Sequence, residues 1–319
     1  MNIEGVDYRA FPGKKGFFHT PLATHRFLKL LVPDVVLVQG LVFPYQVWVL
    51  RVLLGKNVKI IVQHHGGIPF LNSIKKLFLK RADSCIDGYL FTSIGNARIW
   101  VDKGVISSID KCYEVLEAST YLQKQDKRAS CTRLDLVAGK IFLWVGRLNA
   151  NKDPFTVLKA FQEYASDKND VSLYMIYQDN DLLPEVKQYI EQSEVLRKSV
   201  HMVGAVNHEE LQYWYSAADF YVSGSHNEGS GYALIECMAC GCVPVVTDIP
   251  PFRKITDNGR LALMFKPRDS YGLVKAFNQT DTISQRMHDD ILEYFHKKLS
   301  FKAIADDIYA VCKQLTGKE

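Results

Sequence analysis

The sequence lacks an apolar run long enough to cross a bilayer. Its most apolar stretch, residues 41–54, is interrupted by Pro44, Gln46 and Arg51, whereas a spanning helix needs about 20 apolar residues. It lacks a surplus of either charge. The chain has 39 basic and 35 acidic residues, a formal net charge of +4. That balance, with no long Lys/Arg run, is too mild to imply a nucleic-acid partner, and none is expected. It suits a protein that handles anionic phosphates or rests on an anionic membrane surface. The seven cysteines, at 85, 112, 131, 237, 240, 242 and 312, are odd in number and scattered. They argue against a disulfide framework and for a reducing, cytoplasmic compartment. The opening MNIEGVDYRAFPGKKGFF is polar and unlike a secretory leader. There is no internal repeat and no low-complexity tract.

What is present is alternation. β-rich runs fall at 35–39, 59–63, 89–92 and 113–116, and again at 141–145, 172–177, 200–203, 220–222 and 243–246. Helix-length stretches lie between them, such as 153–166, 185–196 and 209–217, and the tail 284–315 reads as mostly helical. Near-continuous apolar strands separated by helices predict parallel sheets covered on both faces. The polar stretch QKQDKRASCTR, residues 123–133, separates the two series and is expected as the linker. The predicted fold class is α/β, with two doubly wound domains facing a cleft. Residues 1–125 form the first and 134–300 the second, with a helical tail over 301–319. Ligands of such sheets sit outside the carboxyl ends of the strands.

The segment IFLWVGRLNANKDP, residues 141–154, ends a buried strand at Val145. Gly146 permits a tight turn, Arg147 and Lys152 follow, and Asp153 can cap a helix that has Pro154 at its first position. Two cations at a strand's carboxyl end suit a diphosphate, whose charge they can neutralise as it departs. A surface loop with two solvated cations has the same spacing. The segment SGSHNEGSGYALIECMACGCVPVV, residues 223–246, carries Gly224, Gly229 and Gly231 ahead of a helix starting near Tyr232. Backbone N–H groups at such a start, from Gly229 to Tyr232 with Ser230 between, can grip a phosphate or a sugar hydroxyl. Glu228 precedes the helix, where it can accept hydrogen bonds from sugar hydroxyls. Glu236 lies within it, where it can take both hydroxyls of a ribose. One capping and one solvated glutamate would be the plain structural alternative.

EGSGYALIECMACGCVPVV resembles the E-x7-E signature of retaining glycosyltransferases with the GT-B fold, in particular glycosyltransferase family 4, with Glu228 and Glu236 at that spacing. VGRLNANKDP resembles the family's donor-diphosphate segment. The match is close over residues 140–266 and loose over 34–122. The resemblance implies two Rossmann-like domains, with a UDP- or GDP-linked sugar donor on the C-terminal one. A glycan or lipid-linked acceptor would bind the N-terminal one. It implies no cofactor and no metal, Arg147 and Lys152 taking the place of a divalent cation, and a setting in cell-surface polysaccharide or glycolipid synthesis.

Further residues fit this picture. Gln63-His64-His65-Gly66-Gly67 closes the run 59–63. The family often has a histidine near this place, so His65 or His64 is expected to contact donor or acceptor, with Gly66 and Gly67 lining the cleft. A histidine satisfied by nearby backbone is the alternative. Glu117-Ala118-Ser119-Thr120 departs from the family's turn here and is given a lining role at most. Cys237, Cys240 and Cys242 lack a fourth ligand for structural zinc and read as core residues. SIKKLFLKR, residues 73–81, places Lys75, Lys76, Lys80 and Arg81 on a helix. They fit an anionic membrane surface, or equally the solvated face of a helix that covers the sheet. The N-terminal half is short against the family's usual opening strand and Gly-rich loop, and FPGKKGFF at 11–18 has no apolar strand before it. A sugar-nucleotide binder or partner subunit without transferase activity is therefore the competing expectation.

Overall fold

The computed structural model describes residues 2–3, 5–11, 21–40, 44–67, 69, 73–136, 138–178 and 181–318. Most of the opening FPGKKGFF segment lies outside them, as do the side chains of Ser73 and Lys75. The chain divides into two compact units. One comprises Met1–Glu117 with Asp306–Glu319, the other Ala118–Ala305.

The N-terminal unit begins with a small antiparallel pair, β1 (Asn2–Ile3) and β2 (Val6–Asp7). It continues as α1 (Leu22–Leu31), β3 (Val35–Gln39), α2 (Pro44–Leu54), β4 (Lys59–Gln63), α3 (Ser73–Asp83), β5 (Gly88–Phe91), α4 (Ile94–Asp102) and β6 (Cys112–Glu114). Strands β3-β4-β5-β6 form one parallel sheet in chain order. Val47 and Leu50 of α2 and Leu79 of α3 pack with Val36, Ile60, Val62, Tyr89, Phe91 and Trp100 in its core. Arg51, which breaks the apolar pattern of α2, fixes the loops that enter the sheet. Its guanidinium donates to the carbonyls of Gly55, Val58 and Cys85 and pairs with Asp87 at 2.5 Å.

The C-terminal unit runs α5 (Lys127–Arg133), β7 (Lys140–Gly146), α6 (Pro154–Tyr164), β8 (Val171–Tyr177), α7 (Leu183–Glu191), α8 (Glu194–Ser199), β9 (Val200–Gly204) and α9 (Leu211–Ala217). It continues with β10 (Phe220–Ser223), α10 (Tyr232–Ala239), β11 (Val243–Thr247), α11 (Pro250–Ile255), β12 (Leu263–Phe265), α12 (Ser270–Gln279) and α13 (Gln285–Tyr294). A π-helical turn, Phe295–Leu299, then leads to α14 (Phe301–Thr316), whose residues from Asp306 onward belong to the first unit. All six strands are parallel, in the order β12-β11-β10-β7-β8-β9. The chain therefore winds outward from β7 to β9, returns to the other side of β7 and winds outward again. That reversal, between β7 and β10, is where a doubly wound sheet opens a crevice at its carboxyl edge. Every residue of β10 and β11 is buried, as expected of parallel strands covered on both faces. One face is sealed by an aromatic cluster. The Phe142 ring lies 5.1–5.6 Å from those of Phe161, Tyr164, Phe220 and Phe277.

Two expectations are corrected. The stretch 123–133, expected as the linker, lies inside the second unit, where Lys127–Arg133 is α5, capped by Asp126 accepting from Ala129 N–H at 2.7 Å. It packs on α9, with Ser130 buried and the Arg133 guanidinium 4.4 Å from the Tyr213 ring centre. The polar residues that suggested a linker are the cap and outer face of a short helix. The run 185–196 is two helices, because Ser193 is an N-cap whose side chain accepts from Leu196 N–H at 3.3 Å and restarts the chain as α8.

Candidate functional site

Two loops leave the carboxyl ends of β7 and β10, on the two sides of the reversal. The first, residues 147–153, is a tight turn organised by Asn149, whose side chain accepts from Lys152 N–H at 3.0 Å. Arg147 is exposed at its start, and Lys152 and Asp153 are part-buried at its end. Asp153 caps α6 as expected, accepting from Thr156 N–H at 3.1 Å and from the Thr156 hydroxyl at 2.7 Å. Gly146 lies beside the Lys152 stem: a Cβ there would stand 3.6 Å from Lys152 Cδ and 3.3 Å from the Trp144 ring.

The second loop, residues 224–231, is laced to the first. Asn151 accepts from His226 N–H through its carbonyl at 2.8 Å and donates from its side chain to the Asn227 carbonyl at 3.0 Å. The His226 ring sits 2.8 Å from Asp153 Oδ2. Thr247 at the end of β11 donates to the Ser225 carbonyl at 2.6 Å. Close approach demands small residues: a Cβ on Gly224 would meet the Asp153 carbonyl at 2.9 Å.

This lacing brings Lys152 and Glu228 into an ion pair, with both side chains mostly buried, 22% and 13% exposed. The pair spans the two loops and joins two of the residues singled out in the sequence. Helix α10 then starts at Gly231, which has φ +68° and no side-chain cap. A Cβ there would stand 2.7 Å from Ile255 Cδ1, so glycine is dictated by both conformation and space. Ser230 is buried and Tyr232 is 54% exposed. Inside α10, Glu236 is 7% exposed. The His208 ring lies 2.6 Å from one of its oxygens, and the Tyr215 hydroxyl donates to the other at 3.2 Å.

His208, Tyr215 and His226 were not singled out in the sequence. His226 lies within the glycine-rich segment, two residues before Glu228. His208 and Tyr215 lie on a 3-10 turn and on α9, and no spacing ties them to Glu236. Only the folded chain brings them to it.

The histidines of the N-terminal unit separate. His64 is buried, stacked on Phe91 with ring centres 4.5 Å apart and edge-on to Trp100 at 5.0 Å. Its Nδ1 accepts from Gly66 N–H at 3.1 Å. Burial, and then the neighbouring His65, push its pKa down to about 4, so at neutral pH it is an uncharged core group. His65 is 46% exposed and stands 3.3 Å from the buried Glu117 carboxylate. Gly66 and Gly67 both take φ +87°. The cysteines behave as core: Cys237 donates to the Cys242 carbonyl at 3.1 Å, and burial pushes the Cys240 thiol up to about 12. Among the described residues no group of three His, Cys, Asp or Glu side chains is gathered as a metal site, and no helix is long and apolar enough to cross a membrane.

Residues 136–291 match the family model described as Glycosyl transferases group 1. Over 251 residues the chain is 25% identical to GDP-mannose:cellobiosyl-diphosphopolyprenol alpha-mannosyltransferase of Xanthomonas oryzae pv. oryzae. That match covers 76% of this chain, which spans 63% of the relative's length. Among solved structures, a glycosyltransferase from Rickettsia africae ESF-5 superposes with TM-score 0.77 at 14% identity, over 98% of this chain and 85% of that one. Anabaena Alr3699/HepE in complex with UDP gives 0.75 at 13% identity, over 92% and 81%. These likenesses establish the fold as GT-B, two Rossmann-like units each built on a parallel sheet.

Proposed function

We propose that this chain, whose residues 136–291 match the glycosyl transferases group 1 model, moves a sugar from a nucleoside-diphosphate sugar to an acceptor hydroxyl with retention of configuration. The observation that carries the reading is the laced pair of loops at the sheet reversal, which sets Lys152 against Glu228 at the mouth of α10. A diphosphate here would lie against Arg147, Lys152 and the start of α10, three sources of positive potential. No metal is then required to neutralise the leaving group. Glu228 holds the sugar and Glu236 the ribose.

In the transfer, the bond between the anomeric carbon and the phosphate oxygen breaks, and the acceptor oxygen bonds to the same face of that carbon. The acceptor's proton passes to the departing diphosphate, so Glu228 need not be a covalent nucleophile. Lys152 is engaged by Glu228 in the free chain and turns to the diphosphate when donor binds. His65, half-exposed beside Glu117, contacts the reacting sugars, whereas His64 supports it from the core.

The acceptor is a glycan or lipid-linked saccharide, in keeping with the polyprenol-linked substrate in the name of the Xanthomonas oryzae relative. Ile74, Leu77 and Phe78 of α3 are exposed beside Lys76, Lys80 and Arg81, a combination that supports peripheral contact with an anionic membrane surface. One relative names GDP-mannose and one structure holds UDP, so the test offers both nucleotides. Isothermal titration with UDP and GDP should show binding of one, lost in Arg147→Ala, and the matching sugar donor should then give glycosylated product. Binding without product across acceptors would support the second reading, a donor-binding partner subunit. No binding by the folded chain would refute both.

A further inference from the structure

The carboxylate of Glu236 is held from two sides by residues on other elements. His208 opens the 3-10 turn His208–Glu210 after β9, and Tyr215 lies on α9. The His208 ring nitrogen Nε2 is 2.6 Å from Oε1, and the Tyr215 hydroxyl donates to Oε2 at 3.2 Å. A carboxylate accepts only, with about two lone-pair positions on each oxygen. Each oxygen of Glu236 thus receives one protein hydrogen bond and keeps one acceptor position.

Tyr215 is fully buried, and burial, followed by the Glu236 charge, raises its pKa well above 10. It therefore stays a donor. His208 is the exposed partner, its side chain 65% open to solvent, so it fixes the carboxylate from the outer side of the site. A carboxylate pinned at both oxygens cannot turn to follow a ligand, and its two remaining positions have a set spacing and direction. That arrangement matches two adjacent hydroxyls of one ring, each donating to a different oxygen.

We propose that His208 and Tyr215 position Glu236 so that the donor site selects nucleotides carrying both ribose hydroxyls over their 2′-deoxy counterparts. The inference rests on the reading that Glu236 receives the ribose. A site built to bond a hydroxyl penalises the analogue that lacks it, because a buried acceptor is left unpaired. His208 is a positioning residue here: it sharpens the discrimination without supplying the bond that is discriminated.

The test is titration of the full chain with UDP and GDP and, for whichever binds, with its 2′-deoxy analogue. The expected ratio of affinities is about tenfold or more in favour of the ribonucleotide. In His208→Ala that ratio should fall to about threefold or less, with affinity for the deoxynucleotide unchanged, and His208→Gln, which restores an N–H near the same place, should recover it. Tyr215→Phe should lower the ratio as well. Because Tyr215 is buried, the exposed His208 variants decide the matter even if Tyr215→Phe does not fold. If His208→Ala weakens both nucleotides equally, or leaves the ratio as it was, the positioning role is wrong. Equal affinity for ribo and deoxy forms in the unmodified chain would overturn the role of Glu236 while leaving the donor site standing. Failure to bind either nucleotide would overturn the donor site itself.

Discussion

The two sheets of this chain are built alike and end differently. Both are parallel and carry buried apolar strands. The C-terminal sheet has six strands and reverses its winding between β7 and β10. The N-terminal sheet has four strands that advance in one direction, and among the described residues β3 pairs with β4 alone. A reversal forces two loops to diverge from adjacent strands and leaves a crevice between them. In the C-terminal unit that crevice gathers Arg147, the Lys152–Glu228 pair and Asp153 with the His226 ring against it. At the corresponding ends of the N-terminal sheet, His64 is neutral core and His65 leans on Glu117. Charged chemistry gathers where the winding reverses.

Loss of Glu228 should separate the two units most clearly. Glu228→Ala should lower the transfer rate by about 10²–10³-fold, the usual cost of losing a preorganised polar contact. Nucleoside-diphosphate affinity should hold or rise, because Lys152 is released to the ligand. Normal turnover by this variant in a donor-to-acceptor assay would contradict the role given to Glu228.

The N-terminal unit offers the next effect, on stability rather than chemistry. His64 has a folded pKa of about 4 against 6.5 for the free side chain. Between those values the unfolded chain binds more protons, so stability rises with pH through that window. The contribution is complete above pH 6.5 and is lost as pH falls towards 4, about 3 kcal/mol in all. His64→Asn keeps an acceptor for Gly66 N–H and removes the titration. Its urea-unfolding free energy should vary less between pH 4 and 6.5 than that of the unmodified chain. An unchanged slope would mean that His64 is protonated when folded.

The smallest effect separates two glycines with the same positive sign of φ. Gly231→Ala should cost about 2 kcal/mol, combining left-handed strain with the collision at Ile255. Gly67→Ala meets nothing within 4 Å and should cost about 1 kcal/mol, from strain alone. Equal midpoints in chemical denaturation would show that α11 yields to the added methyl.

Much of this was legible in the sequence, for a physical reason. Buried parallel strands are continuous apolar runs, so both sheets could be read from composition, apart from the three-residue edge strand β12. The two loops at the reversal announce themselves because Gly224 admits the Asp153 backbone and Gly231 takes a positive φ against Ile255, and because charge beside a buried strand needs a partner. What could not be read arises from tertiary contact. Nothing local ties His208 or Tyr215 to Glu236, or His226 to Asp153. A cap residue such as Asp126 or Ser193 differs from a linker residue only once its helix has something to pack against. His64 and His65 are adjacent in the chain yet point to opposite environments, a difference set by Phe91 and Trp100 on other elements.

Binding of the nucleotide at the reversal of the C-terminal sheet can be read by amide hydrogen exchange with and without saturating UDP or GDP. Exchange should slow in residues 146–153 and 224–236 for the nucleotide that binds. Protection confined to the N-terminal unit, with those two segments unchanged, would contradict it.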